Sequence, residues 1–249
     1  MNTLDLNSDL GEGAGCDEEI LELVSSASIA CGLHAGEPRS IFASILLAQK
    51  HGVAVGAHPS FNDRANFGRT EMQIGSADVF ALATYQIGAF AALCEAAGVE
   101  MNHVKPHGAL YNMAARDRAL ADAITHAMLV VDASAILFAP TDSTLAQAAH
   151  AQKIRCAREV FADRNYLPDG ALMPRERPDA LLHDTGEAAQ RIVRMLREGR
   201  MRAIDGSDIP LIADTICVHG DTPGAVKFVR ELRGALEDNG VTIAAPSKH

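Results

Sequence analysis

The residues able to do chemistry are unevenly placed along this chain. Asp9 and Glu12 stand in the run Leu6-Asn7-Ser8-Asp9-Leu10-Gly11-Glu12-Gly13. His34 follows in Ala30-Cys31-Gly32-Leu33-His34-Ala35-Gly36, and His58 in Gly56-Ala57-His58-Pro59. Lys105 and His107 share Val104-Lys105-Pro106-His107-Gly108-Ala109, and His219 and Asp221 share Val218-His219-Gly220-Asp221. Each cluster has Gly or Pro beside it, which lets backbone amides approach a ligand. Carboxylates next to imidazoles suit general acid–base chemistry. The same residue types ligate divalent metals, and Asp9, His34 and His58 are the set that would hold one. No H-E-x-x-H helix motif is present. A lysine in an apolar strand marks an anionic ligand or an acidic neighbour, which is the reading for Lys105. Arg69, Arg164 and Arg175 are candidates for clamping a carboxylate or phosphate bidentately. Gly11-Glu12-Gly13-Ala14-Gly15 is glycine-rich, but no Gly-Lys dipeptide occurs, so there is no Walker A loop. His51, His126, His150, His183 and His249 carry no comparable signal and read as solvated.

Such residues need a frame that gathers strand ends. Short apolar runs read as strands at Thr3–Asn7, Ser28–Cys31, Val53–Ala57, Asn102–Lys105, Ala135–Ala139, Ile154–Val160, Ile212–Val218 and Val241–Ala245. Helical patterns separate them at Asp17–Ala27 (capped by Asp17), Pro38–His51, Ser76–Ala97 (capped by Ser76), Asp117–Val131, Ser143–Gln152, Thr185–Gly199 and Pro223–Asn239. Asp205-Gly206 marks a hairpin within Ala203–Leu211. The stretch Asn165–Asp184 is irregular and reads as an active-site loop. Strand–helix alternation predicts a parallel sheet. About seven units of ~30 residues favour an α/β fold closed as a seven-stranded β/α barrel, one domain over 1–249. Ligands in such folds bind at the C-terminal rim of the strands, where His34, His58, His107 and His219 all fall.

Composition narrows the partners. The chain has 249 residues, a formal net charge of −10 and only 22 Lys and Arg. Nucleic acid and an anionic membrane surface both call for a basic face, and neither is expected. No apolar run is read as approaching the ~18 residues of a membrane span, and no secretory signal is visible at the N-terminus. Five widely spaced cysteines without a C-x-x-C pair fit buried thiols in a reducing cytoplasm.

Several segments together resemble the LamB/YcsF family, which supplies the A subunit of bacterial 5-oxoprolinase. They are residues 5–13, 28–36, 56–59, Phe67-Gly68-Arg69, 104–112, Glu159-Val160-Phe161-Ala162-Asp163-Arg164 and 216–221. The chain departs from the family pattern at Ser8, where cysteine is usual, and at Ser60-Phe61-Asn62-Asp63, where Gly-Tyr/Phe-Pro-Asp is usual. The resemblance implies a seven-stranded barrel of the glycoside hydrolase/deacetylase type. It also implies ATP-dependent opening of 5-oxoproline to L-glutamate, with partner subunits B and C. On that reading Asp9 or His58 is the base, and Lys105 and His107 stabilise charge. Substrate contacts come from Glu12, His34, Arg69, Arg164, Arg175, His219 and Asp221. Two other readings compete: a stand-alone metal-dependent deacetylase or hydrolase, and a non-catalytic ligand-binding subunit. With no Trp, eight Phe and three Tyr, the chain is poor in rings for stacking a sugar. The oligomeric state, a homo-oligomer included, is left open.

Overall fold

The first strand, β1 (Asn2–Leu10), explains the interior of the molecule. Leu4, Leu6 and Leu10 belong to the main apolar core. The alternate residues Asp5, Asn7 and Asp9 meet polar partners from other strands instead. Successive strand residues face opposite sides, so one side of β1 packs under helices and the other carries polar groups.

The computed structural model describes residues 2–175, 177–182, 184–220 and 224–248. After β1 come β2 (Ser26–Ala30), β3 (Ala54–His58), β4 (Met101–Val104), β5 (Ile136–Pro140) and β6 (Cys156–Phe161). β7 (Arg200–Arg202) and β8 (Asp208–Pro210) form an antiparallel pair apart from the main sheet. β9 (Thr215–His219) pairs with both β6 and β1 and closes seven parallel strands into a barrel. β10 (Val241–Ile243) adds to the start of β1. The helices are α1 (Asp17–Leu21), α2 (Pro38–His51), α3 (Ser76–Ala97), α4 (Gly108–Ala114), α5 (Arg118–Asp132), α6 (Thr144–Ala151), α7 (Thr185–Glu198) and α8 (Ala225–Asp238). The large apolar core joins the outer faces of the strands to these helices. Inside the barrel, Ile136, Phe138 and Ala157 form a separate small cluster, as do Tyr111, Phe161 and Cys217.

Local chemistry sets most boundaries. α2 starts at Pro38 and ends at Gly52, whose φ of 69° suits glycine. Asp117 Oδ1 accepts from the amides of Ala119 and Leu120 and caps α5. The expected Asp17–Ala27 helix stops at Leu21, and residues 26–30 are strand. Ser25 and Ser26 explain the change: both hydroxyls donate to Asp5 Oδ1 at 2.7 Å, which draws them into the barrel. Asp17 is not the cap. It is the first helical residue, and its Oδ2 accepts from Gly11 N at 2.9 Å. Ser76 does not cap α3 either, because the cap position is Gly75. α4 was not expected, being too short for periodicity to reveal. The hairpin lies at the expected turn with its strands shifted outward. β9 begins at Thr215 because Asp214 is engaged by Arg158 in a bidentate pair at 2.7 and 2.8 Å.

The expectation about apolar runs needs correction. α3 contains an 18-residue window of mean hydropathy 1.4, long and apolar enough to cross a membrane by composition alone. Polar Thr84 and Gln86 interrupt the run, which hid it in the sequence. Here Val79, Ala83, Ile87, Phe90 and Cys94 pack one side of α3 into the core.

Two buried titratable groups occupy the barrel interior below the rim. His103 stacks on Phe138 at 4.1 Å, and burial pushes its pKa down to about 3. Gly56 makes the room, since a Cβ there would lie 2.2 Å from the His103 ring. Asp5 accepts from Ser25, Ser26 and Thr215, yet burial outweighs these bonds and raises its pKa to about 6. A carboxyl raised in the folded state stabilises below its unfolded value, and that contribution is lost as pH rises through about 6. Asp5→Asn is therefore expected to gain about 2–3 kcal/mol relative to the parent between about pH 4 and pH 7. Urea unfolding across that range checks it, and parallel curves for the two proteins would refute it.

Candidate active site

At the upper end of the barrel the inward residues of β1, β4, β6 and β9 meet. Lys105, 2% exposed, places Nζ 2.8 Å from Asp9 Oδ1 and 2.8 Å from Glu159 Oε1. It also lies 3.2 Å from Asn7 Oδ1 and 3.1 Å from Cys217 Sγ. Glu159 accepts from Asn7 Nδ2 at 3.0 Å and, through Oε2, from the Tyr111 hydroxyl at 2.6 Å. Thr215 links this group downward, accepting from Asn7 Nδ2 at 2.7 Å and donating to Asp5 Oδ2 at 2.5 Å. A hydrogen-bonded polar column thus runs up the barrel and ends at Asp9.

Electrostatics set the charge states. Burial opposes ionisation of Asp9, but His58 and Lys105 outweigh it and hold the carboxyl well below the usual range. Burial also opposes charge on Lys105, yet Asp9, Cys217 and Glu159 keep its pKa well above the ordinary value. Burial pushes the Cys217 thiol up, so it is no thiolate nucleophile. No disulfide joins any of the five cysteines, all of which are among the described residues.

Beside Asp9 lies a second cluster. His58 Nε2 is 3.4 Å from Asp9 Oδ2 and 2.9 Å from His107 Nδ1. His34 stacks flat on His107 at 3.8 Å, and its Nε2 meets Glu12 Oε1 at 2.9 Å. Burial, then the neighbouring His58, drives the His34 pKa down to about 2. Across the rim His219 Nδ1 meets Asp163 Oδ2 at 2.7 Å, and His219 stacks on Phe161.

A cavity of about 700 Å³ opens over both clusters. Asp9, Glu12, His58, Lys105, His107, His219, Arg69, Arg164 and Arg175 all line it, as expected of rim residues. His34 does not; it sits behind His107, 1% exposed, so it supports the site rather than contacting substrate. Asp221, His183 and His249 lie outside the described residues. The expected metal donors Asp9, His34 and His58 fall into two groups: Glu12, His34, His58 and His107 have polar atoms within 4.8 Å of one another, and Asp9 groups with Cys217 and His219. Arg164 is 9% exposed; its Nη2 donates to Met173 O, and its buried Nε has no partner among the described residues.

Sequence reasoning passed over Asn7, Tyr111, Cys217, Thr215 and His103, and noted Glu159 only as a strand end. The available signal was the alternation Asp5, Asn7, Asp9 in β1, repeated by Thr215, Cys217, His219 in β9. His103 stands four residues before His107, but an extended chain keeps the two at different heights, and His103 packs on Phe138.

Comparison with known proteins agrees with the fold. The LamB/YcsF family profile matches residues 4–249. A protein of Oceanobacillus iheyensis, named as the A subunit of 5-oxoprolinase, is 47% identical over 251 residues, covering 99% of this chain and 98% of its own. A Geobacillus kaustophilus protein of the same name is 48% identical over 252 residues, covering 100% and 98%. The crystal structure of the lactam utilization protein from Thermus thermophilus superposes with a TM-score of 0.91 at 43% identity, covering 98% of this chain and 100% of that one. A putative cellobiose-phosphate cleavage protein from Enterococcus faecalis shares the fold alone, at a TM-score of 0.58 and 13% identity, covering 98% and 97%. With a match from residue 4 to residue 249 and full-length relatives near half identity, the chain belongs to the LamB/YcsF family.

Proposed function

We propose that this chain is the A subunit of a 5-oxoprolinase, which opens 5-oxo-L-proline to L-glutamate while ATP becomes ADP and phosphate. Subunits B and C are its partners. The single observation that carries a hydrolytic role is Asp9, an ionised carboxylate held by Lys105 and His58 at the floor of the cavity. The full-length relatives that share the name supply the substrate class.

A five-membered lactam is a stable amide and a poor electrophile. Transfer of the ATP γ-phosphoryl group to its carbonyl oxygen makes the carbon electrophilic and creates a leaving group. Water then adds to that carbon, the ring C–N bond breaks as the nitrogen takes up a proton and becomes the amine of glutamate, and a second water hydrolyses the resulting acyl phosphate to the carboxylate and free phosphate. Asp9 orients and deprotonates the water. The three N–H groups of Lys105 are directed at acceptors of this chain, so its part is to hold Asp9 ionised and in place. His107 lines the cavity with its Nε2–H given to the Phe67 carbonyl. Arg164, with an unpartnered Nε at the cavity wall, receives the substrate carboxylate, and Arg69 and Arg175 take further anionic oxygens. The volume exceeds what a five-membered ring requires and leaves room for phosphate.

Glutamate release from 5-oxoproline and ATP, with and without subunits B and C, tests the function; no release from the full assembly refutes it. Arg164→Gln is expected to raise KM for 5-oxoproline about 10–100-fold with a smaller change in kcat, as loss of a charged hydrogen bond predicts. An unchanged KM would remove Arg164 from substrate binding.

A further inference from the structure

Four polar atoms from separate strand ends gather beside Asp9. Glu12 Oε1 lies 2.9 Å from His34 Nε2, 3.4 Å from His107 Nδ1 and 3.7 Å from His58 Nε2. His58 Nε2 and His107 Nδ1 are 2.9 Å apart, and all four atoms lie within 4.8 Å of one another.

Hydrogen bonding at the outer edges of the rings decides what this cluster holds. His58 Nδ1 is 2.7 Å from the carbonyl of Lys105, and His107 Nε2 is 2.8 Å from the carbonyl of Phe67. A carbonyl only accepts, so both outer nitrogens carry hydrogen. When both rings are neutral each has one N–H, and the two inner nitrogens then face each other as bare lone pairs. Two acceptors at that separation need a cation. In the metal-free protein a proton on His58 fills this place, facing His107, Asp9 and Glu12, and a dication takes it over. Imidazoles anchored through an outer N–H on a backbone carbonyl are the usual arrangement of metal ligands. Tetrahedral bonds of ~2.0–2.1 Å separate donors by about 3.3 Å, the spacing around which these contacts scatter.

The surroundings are shaped to this end. Gly68, at φ +65°, is the close approach: a Cβ there would lie 2.9 Å from both His107 and His34. Phe67 adopts φ 56°, a left-handed conformation uncommon for a bulky residue, and the turn is held by the Gly68 amide donating to Asp63 O at 2.8 Å. That strained turn presents the Phe67 carbonyl to His107.

We propose that Glu12, His58 and His107 form a centre for one transition-metal dication of the zinc or cobalt class, with His34 stacked behind His107 and its Nε2–H donated to Glu12. Two imidazoles and a carboxylate suit such ions better than magnesium or calcium. The neighbouring donors Asp9, Cys217 and His219 do not compete, because the Lys105 ammonium already occupies that cluster. Glu12, His58 and His107 line the cavity, so a bound ion there would supply Lewis acidity to it. The centre is argued from this geometry and does not depend on the lactam reading.

The full chain, stripped with a chelator, is titrated with cobalt(II) and separately with zinc by calorimetry. One equivalent should bind, and cobalt should give a visible d–d band of a nitrogen-rich centre. Glu12→Gln and His107→Gln should each weaken binding by more than the ~10–100-fold attached to an outer-shell partner, and should alter the band. His219→Gln, in the other cluster, should bind as the parent does. Should His107→Gln lose its circular dichroism, the near-isosteric Glu12→Gln still decides. Substoichiometric uptake by the stripped parent, or parent-like affinity and spectrum in Glu12→Gln, overturns the proposal. Because metal content is read without turnover, failure here and failure of the 5-oxoprolinase assay are separable.

Discussion

Asp9→Asn should lower turnover of 5-oxoproline by the assembled A, B and C subunits about 10²–10⁴-fold, the usual worth of a positioned base. The change is nearly isosteric, and the amide oxygen still accepts from Lys105, so folding should be kept. Asp9 is singled out by what the other carboxylates are doing. The Glu159 side chain is fully buried and pinned by Lys105, Asn7 and Tyr111. Glu12 faces three histidines, and Asp163 is paired with His219. Of these four carboxylates, Asp9 is the one that lines the cavity and pairs with both Lys105 and His58. Steady-state glutamate release with saturating ATP measures the effect. A variant with parent-like kcat would show that Asp9 does not handle the proton. A fall in kcat with a normal melting curve would separate chemistry from folding.

Lys105→Met should cost about 3–5 kcal/mol of stability, the range found when one member of a buried ion pair is removed. Methionine fills a similar volume but carries no charge. Asp9 and Glu159 would then share one desolvated space as two anions, and would have to take up protons or draw in water. The folded pKa of Lys105 lies above its ordinary value, so its stabilisation is fully present below 10.5 and is lost only as pH rises through the folded value. Urea unfolding at neutral pH therefore reads the whole effect. Adding Glu159→Gln should recover part of the loss, because the two sites share one interaction and their effects are not additive. A Lys105→Met protein within about 1 kcal/mol of the parent would show that the pair contributes nothing net.

The opposite behaviour of Asp5 and His103 sharpens the picture of the interior. Asp5 is raised to about 6 and His103 lowered to about 3, so both resist charging inside the barrel. A depressed histidine favours folding above about pH 6.5 and withdraws that support as pH falls. Acid therefore opposes the fold through His103 while relieving Asp5. Lys105, with four acceptors around it, is a charge that burial tolerates.

Much of the frame was legible because helices and strands differ in period. Pro38–His51 is bounded as expected, since Pro38 and Gly52 act within one turn of chain. The 17–27 stretch misled for a comparable reason: its apolar spacing is helical, but Ser25 and Ser26 answer to Asp5, some twenty residues away. The rim histidines were legible from their place after apolar strands. That His34 would lie flat on His107, behind the cavity wall, was not.

The amino-acid sequence alone determined the strand–helix alternation, the family, and the carboxylates, imidazoles and arginines available at the rim. These are properties of short segments, set by local period, turn residues and side-chain type. Only the tertiary structure decided which of them act together. β9 must close on β1 before Thr215 can reach Asp5, 210 residues away, or Lys105 can reach both Asp9 and Glu159. That closure fixes the register Asp9↔His219 and turns the alternate polar residues of several strands into one buried column. A charge buried there is tolerable only when its partner arrives from a distant strand, and no local pattern records that distance.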